Sequence, residues 1–317
     1  MSVVLGIDFG GTKIALATAT ESGRILRRTR LETRARDGAP TVVRRAVAAA
    51  HDLVAETGAG PLSAVGVSTF GVVRGERVVL APNVPGWEEL PLRGLLRSGL
   101  GVQVHLDNDV NAATAAEVRW GRLSGVDTGL YVNVGTGLGA GIVAGGSVLS
   151  GANGAAGEIG YVLTSPGQPA YAAGHAPLEE YVSGSGLARR GSDLIGRDVA
   201  AHELFEMRDD PEVAELLEEA LDRLGMAVAN LAIALDPERV VLGGGMAAET
   251  SVLPRLQALL KSAVPFPPRL EQARFAGDAS LVGAIALALD ARDAQDALDA
   301  LDALNESQEA TQEAPGA

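Results

Sequence analysis

The 317-residue chain has no cysteine and only four histidines, so disulfides and thiolate metal sites are excluded and little remains for a soft-metal centre. Any metal is expected to be a hard cation held by oxygen. Lysine is nearly missing too: of 26 basic residues only Lys13 and Lys261 are lysines. No apolar run reaches about 18 residues, and no basic leader runs into an apolar stretch. Neither a membrane helix nor a signal peptide is expected, and the chain is read as cytoplasmic. Acids outnumber bases to a net charge of -14, which disfavours nucleic acid, because affinity there comes from neutralising phosphates with clustered Lys and Arg. A small-molecule partner is the starting expectation.

What is present is enough apolar content, 47%, to supply two cores over a length that suits two domains. Charge is uneven: "DARDAQDALDALDALNESQEATQEAPGA", from Asp290 to the end, carries half the net charge. Residues 292–317 read as an acidic, disordered tail after a fraying helix, although the Ala and Leu also admit a helical contact stripe.

Residues 3–8 and 14–19 are strand-like, with a glycine pair between them. Pro40 leads a helix in which Val43, Ala46, Val47, Ala50 and Val54 keep helical spacing. A strand "AVGVS", a hairpin-like segment, the loop "LAPNVPGWEELPL", a strand "GVQVHL" and a capped helix in "DNDVNAATAAEVRWG" follow. Strand "GLYVNV", loop "GTGLG" and strand "AGIVA" then repeat the opening pattern, which predicts two related α/β units. The second half continues with a helix from Pro211 to Leu235, the strand "RVVLGGG", another helix and the helix "ASLVGAIALALDA".

Gly6 to Lys13 nearly matches the phosphate-binding G-x-x-x-x-G-K-[ST], but reads G-T-K at its end, and the following "IALATA" is strand-like rather than helical. "GTGLGAG" likewise lacks the dinucleotide spacing G-x-G-x-x-G. Two glycine loops inside hairpins remain, readable as plain turns or as phosphate cradles. Glycine lets backbone N–H groups approach phosphate oxygens, and two such loops across a cleft could hold a polyphosphate from both sides. Thr12 and Thr136 add hydroxyls, Lys13 a compact cation, and Asp8 can face magnesium through its water shell.

"LDNDVNAATAAE" sets Asn108 and Asp109 where a strand enters a helix, and the positive helix end favours an ionised Asp109. Asp109 could be a plain N-cap, or the base that takes the proton of a sugar hydroxyl attacking a γ-phosphorus. Asn83 in "PNVPGW", Glu158 in "GANGAAGEIGY" and Glu179 in "APLEEY" are surface residues or polyol ligands by the same residue chemistry.

With these elements in order, the chain resembles the ROK family (repressor, open reading frame, kinase), sugar kinases of the actin and hexokinase superfamily. The resemblance rests on "IDFGGTK", "PNVPGW", "LDNDVNAATAAE", "VGTGLGAGIVAGGSVLSGANGAAGEIG", "LEEYVSG", "VVLGGG" and "GDASLVGAIALAL". It implies a two-lobed actin/hexokinase-like (ribonuclease H-like) α/β fold, with duplicated mixed β-sheets and flanking helices around a cleft that closes over the sugar. The lobes implied are residues 1–112 plus 279–291 and residues 113–278. Asp8, Gly10, Gly11, Thr12, Lys13, Gly135, Thr136 and Gly137 would hold the ATP phosphates, and Gly243, Gly244 and Gly245 would approach the adenosine. Asn83, Asn108, Asp109, Glu158 and Glu179 would line the sugar pocket, with Asp109 as base.

ATP and Mg2+ are the implied cofactors, a hexose the substrate, with glucose as default and an N-acetylated or amino hexose as alternative. Polyphosphate stays open as donor, a non-catalytic sugar-binding protein is the third reading, and a homodimer is implied. The family's repressors place a helix-turn-helix before the first glycine loop, and with four residues ahead of Leu5 none is expected here. Family kinases also carry a zinc loop built from one histidine and three cysteines. Here those positions are Tyr161, Ala170, Ala172 and Pro177, so zinc is not expected, and His175 is read as a lone loop histidine. Proline stiffening and packing of Tyr161 on Tyr171 are expected to hold the loop, and loss of the histidine removes a sugar contact.

Overall fold

A computed structural model describes residues 2–294, so residues 295–317 of the expected acidic tail lie outside the described residues. The described residues divide into two compact units, one comprising residues 2–109 together with residues 281–294, the other Val110–Ser280. Among the described residues no helix is long and apolar enough to cross a membrane.

The first unit contains β1 (Val3–Phe9), β2 (Lys13–Thr20), β3 (Ile25–Glu32), α1 (Ala39–Thr57), β4 (Leu62–Thr69), a hairpin of β5 (Val72–Arg74) and β6 (Arg77–Val79), α2 (Leu92–Leu100) and β7 (Gln103–Asn108). Its main sheet runs β3-β2-β1-β4-β7. The β1–β2 and β2–β3 pairs are antiparallel, the β1–β4 and β4–β7 pairs parallel. α1 has proline in its first turn and stops at left-handed Gly58, as the sequence signals suggest. It buries Val42, Val43, Ala46, Ala50 and Leu53 in a core with Leu5, Ile7, Val65, Val67 and Trp87. A helix at residues 279–294 also lies on this sheet. Its seat is Gly66, where any Cβ would collide with the Ala284 carbonyl, so only glycine admits so close an approach.

The second unit contains α3 (Asp109–Trp120), β8 (Gly129–Val134), β9 (Leu138–Ala144), β10 (Ser147–Val148), α4 (Glu179–Val182), α5 (Gly184–Ile195), α6 (Ala201–Glu206), α7 (Pro211–Leu235), β11 (Arg239–Gly243), α8 (Val252–Ala263) and β12 (Arg269–Gln272). Its sheet order, β10-β9-β8-β11-β12, repeats the first with the same senses: two antiparallel pairs, then two parallel pairs. The expected pair of related α/β units, each opening with strand, glycine turn and strand, is therefore present. α7 starts where the Asp210 carboxylate accepts from the Glu212 and Val213 N–H groups, and buries Val213, Leu217, Ala220, Leu224 and Val228 against the sheet core.

β3, α2, α5, α6 and β12 are additions to the sequence-based expectation. β3, "ILRRTRLE", is an edge strand that keeps three arginines, a composition that guards an open edge and also hides the strand from a hydrophobic pattern.

Candidate functional site

In the first unit, the carboxyl ends of the parallel strands β1, β4 and β7 lie at one sheet edge, where open α/β sheets place their ligands. Register aligns Asp8 with Ser68 and Ser68 with Asp107, and in the next row Phe9 with Thr69 and Thr69 with Asn108. Ser68 Oγ donates to Asp8 Oδ1 at 2.9 Å, and the Asn108 N–H donates to Asp107 Oδ1 at 2.8 Å. Asn108 is buried, whereas Asp109 is exposed and is the first residue of α3. Asp8, Asn108 and Asp109 thus share one end of one sheet.

The first glycine turn is closed by the Gly10 N–H, which donates to the Lys13 carbonyl at 2.9 Å. Thr33 pins it from behind, its N–H donating to the Thr12 carbonyl at 2.9 Å and its Oγ1 to the Gly10 carbonyl at 2.6 Å. The Thr12 and Lys13 side chains stay exposed. Asn83 is beside this turn: a Cβ on Gly11 would stand 3.3 Å from Asn83 Nδ2. Its loop is anchored by buried Trp87, whose indole N–H donates to Thr69 Oγ1 at 3.2 Å and whose ring meets Phe9 edge-on at 5.1 Å. Trp87→Phe, which keeps most of the ring packing and removes the donor, should cost about 1 to 2 kcal/mol in urea unfolding. A urea midpoint identical to that of the unsubstituted chain would show that the indole bond anchors nothing.

In the second unit, the Gly135 N–H donates to the Gly137 carbonyl at 3.0 Å and closes the second glycine turn. The first residues of α5 tie it down, Gly184 N–H to the Gly135 carbonyl at 2.7 Å and Ser185 N–H to the Thr136 carbonyl at 3.1 Å. Gly244, at φ 89°, lies so close that a Cβ would overlap the Val134 carbonyl and crowd the Gly135 nitrogen. The structure therefore brings Gly244, between Gly243 and Gly245, against the start of the Gly135–Gly137 turn, two stretches that are far apart in sequence.

Glu179 Oε2 accepts the N–H of Leu138, directly after the turn, at 2.8 Å. Burial raises the Tyr161 phenol above its ordinary range, and the nearby Glu158, Glu179 and Tyr171 add to the shift. Tyr161 is thus a neutral donor in one neighbourhood with Glu158 and Glu179, all three half-buried.

Segment 161–178 holds no metal-ligand set: positions 161, 170, 172 and 177 are Tyr, Ala, Ala and Pro. Among the described residues no three His, Cys, Asp or Glu side chains form a group that could hold a metal ion. Tyr161 and Tyr171 pack edge-on at 5.5 Å, as expected. His175 differs from the expectation of a lone histidine, because its Nδ1 lies 3.0 Å from Glu180 Oε1, which also accepts the Ala176 N–H at 3.2 Å. Sequence reasoning missed Ser68, the partner of Asp8; the signal was a polar Ser-Thr pair ending an otherwise apolar strand.

A family model described as the ROK family matches residues 4–291. The chain is 33% identical to a kanosamine kinase from Amycolatopsis mediterranei, over 90% of this chain and 95% of that protein. Among solved structures it is similar to a ROK hexokinase from Thermus thermophilus, with 35% identity, a TM-score of 0.81, and 92% and 99% of the two chains covered. It is also similar to a ROK family glucokinase from Streptomyces griseus in complex with glucose and AMPPNP, with 30% identity, a TM-score of 0.74, and 90% and 99% covered.

Proposed function

The chain belongs to the ROK family, and on that premise we propose that it transfers the γ-phosphoryl group of ATP to a hydroxyl of a hexose, with glucose to glucose 6-phosphate as the default reaction. The observation that carries this reading is the convergence, in the second unit, of the Gly135–Gly137 turn with Gly243–Gly245. Backbone packed that tightly, with Gly245 open, is suited to a nucleotide rather than to a simple hairpin.

The two turns divide their labour. Gly10 and Gly135 use their own N–H groups to close the turns, so Gly11, Thr12, Thr136 and Gly137 are assigned to the phosphates, with Lys13 as a countercharge. Asp8 suits magnesium: its carboxylate, oriented by the Ser68 hydroxyl at the end of β1, is a hard oxygen ligand of the kind that faces the ion through its water shell. When bound, the ion neutralises charge on the triphosphate.

Asn83, Asn108, Glu158 and Glu179 are assigned to sugar hydroxyls. Asp109 takes the hydroxyl proton as that oxygen bonds to the γ-phosphorus and the bond to the bridging oxygen of ADP breaks. Exposure at the start of α3 supports this role, since the carboxylate is accessible and the helix end keeps it ionised.

ADP release measured across glucose, mannose, amino and N-acetylated hexoses, with and without magnesium, tests the reading, and a polyphosphate arm tests the donor. Sugar-dependent, magnesium-dependent turnover with ATP is the expected result. A chain that binds a hexose and releases no ADP with any of them would be a sugar-binding protein instead.

A further inference from the structure

Segment 161–178 joins Tyr161 to α4 with little regular structure of its own, a single short turn at Tyr171–Ala173, so side-chain bonds add to its few backbone bonds, among them Leu178 N–H to the Gly160 carbonyl at 3.0 Å, in ordering it. One knot is local. Gln168 Oε1 accepts from the Thr164 N–H at 3.2 Å, from Thr164 Oγ1 at 2.9 Å and from Ser165 Oγ at 2.7 Å. Because the Thr164 hydroxyl donates to Gln168, its oxygen is available as an acceptor. Arg223 Nη1, from the middle of α7, donates to it at 2.9 Å across 59 residues of sequence.

The same guanidinium is fully engaged elsewhere. Its Nε and Nη2 donate to Glu219 Oε1, one helical turn earlier, at 3.2 and 2.8 Å. Its Cζ lies over the Tyr181 ring, 3.8 Å from the centroid, which Arg190 Cζ approaches to 4.6 Å while that arginine donates to the other Glu219 oxygen. Burial raises the Glu219 carboxyl, but the bonds from Arg223 and Arg190 outweigh it and hold it below the usual carboxylate range.

Thr164 follows Tyr161 by three residues, and Tyr181 follows Glu179 by two. One planar group therefore grips both flanks of the segment whose ends carry Tyr161 and Glu179. Resting on the sugar-kinase reading, we propose that Arg223 is a positioning residue for sugar recognition: it clamps segment 161–178 and α4 to α7 and so fixes Tyr161 and Glu179, with no metal in the loop. Fork, stack and charge are combined in a way that lysine, a point charge on a flexible stem, cannot reproduce.

The test uses the full chain and varies hexose and ATP independently for Arg223→Ala, Arg223→Lys and Thr164→Val. Arg223→Ala should raise KM for the sugar about tenfold, with kcat and KM for ATP within about twofold of the unsubstituted chain. Arg223→Lys should recover little of the loss. Thr164→Val deletes the bond from Arg223 together with the hydroxyl's own bond to Gln168, leaves the Arg–Glu–Tyr cluster and the Thr164 N–H bond to Gln168, and should raise the sugar KM about threefold.

An unchanged sugar KM in Arg223→Ala overturns the proposal, and so does a common shift in sugar KM, ATP KM and kcat. If Arg223→Ala does not fold, an unchanged sugar KM in Thr164→Val overturns it. Stoichiometric zinc in elemental analysis of the purified chain overturns it as well. A chain that turns over no hexose defeats the kinase reading alone, and sugar affinity by calorimetry then replaces KM. Failure to bind any sugar defeats both.

Discussion

Asp109→Asn should lower hexose phosphorylation by about 10²- to 10⁴-fold in kcat, the range associated with loss of a positioned base. The substitution keeps the shape of the side chain and its ability to accept a hydrogen bond, so sugar binding should stay close to that of the unsubstituted chain. What it removes is the negative charge that takes the hydroxyl proton. The fold makes that charge inexpensive to maintain: Asp109 is exposed, and it opens the twelve-residue α3, whose N-terminal N–H groups favour an anion. A residue acting only as helix start would behave differently, since asparagine caps as well as aspartate and turnover would survive. Isothermal titration with sugar and a steady-state assay on the same preparation separate the two roles. Retained turnover would remove Asp109 from the mechanism.

The elements legible in the sequence were those whose signal is local. α7 was placed from Pro211 to Leu235, the bounds it has, and both hairpins showed as apolar runs broken by glycine. β3 escaped because arginines occupy an edge whose open side faces solvent. The site residues divide along the same line. Asp8, Asn108 and Asp109 could be placed at strand ends from their neighbours alone. Ser68 became the partner of Asp8 only once the parallel register of β1 and β4 was known, 60 residues apart. Arg223 was invisible as a partner of Thr164, since no periodicity links a helix interior to a loop 59 residues earlier. The glycine loops were ambiguous one at a time. Gly244 pressed on Val134 and Gly135 adds a long-range contact that no motif spacing encodes.

Long-range satisfaction of buried groups also governs the second large effect, which concerns stability rather than chemistry. Glu117, near the end of α3, is completely buried, and sequence reading gave it no part. Its Oε2 accepts the Arg122 N–H at 2.6 Å, and its Oε1 accepts the N–H groups of Arg274 at 2.7 Å and Phe275 at 3.0 Å. Three backbone donors, one from the turn just after α3 and two from a segment 157 and 158 residues further on, therefore end on one carboxylate, which welds the stretch before the helix at residues 279–294 to α3. Gly121 makes the room, since any Cβ there would overlap Oε2. Glu117→Ala strands all three donors and leaves a cavity, so the second unit should lose about 3 to 5 kcal/mol, read as a fall in urea midpoint. Glu117→Gln separates the contributions. Its oxygen can still serve Arg274 and Phe275, but its NH2 faces the Arg122 N–H donor to donor, so a loss of about 2 kcal/mol is expected. If both variants unfold at the midpoint of the unsubstituted chain, the carboxylate is not the junction that its three bonds describe.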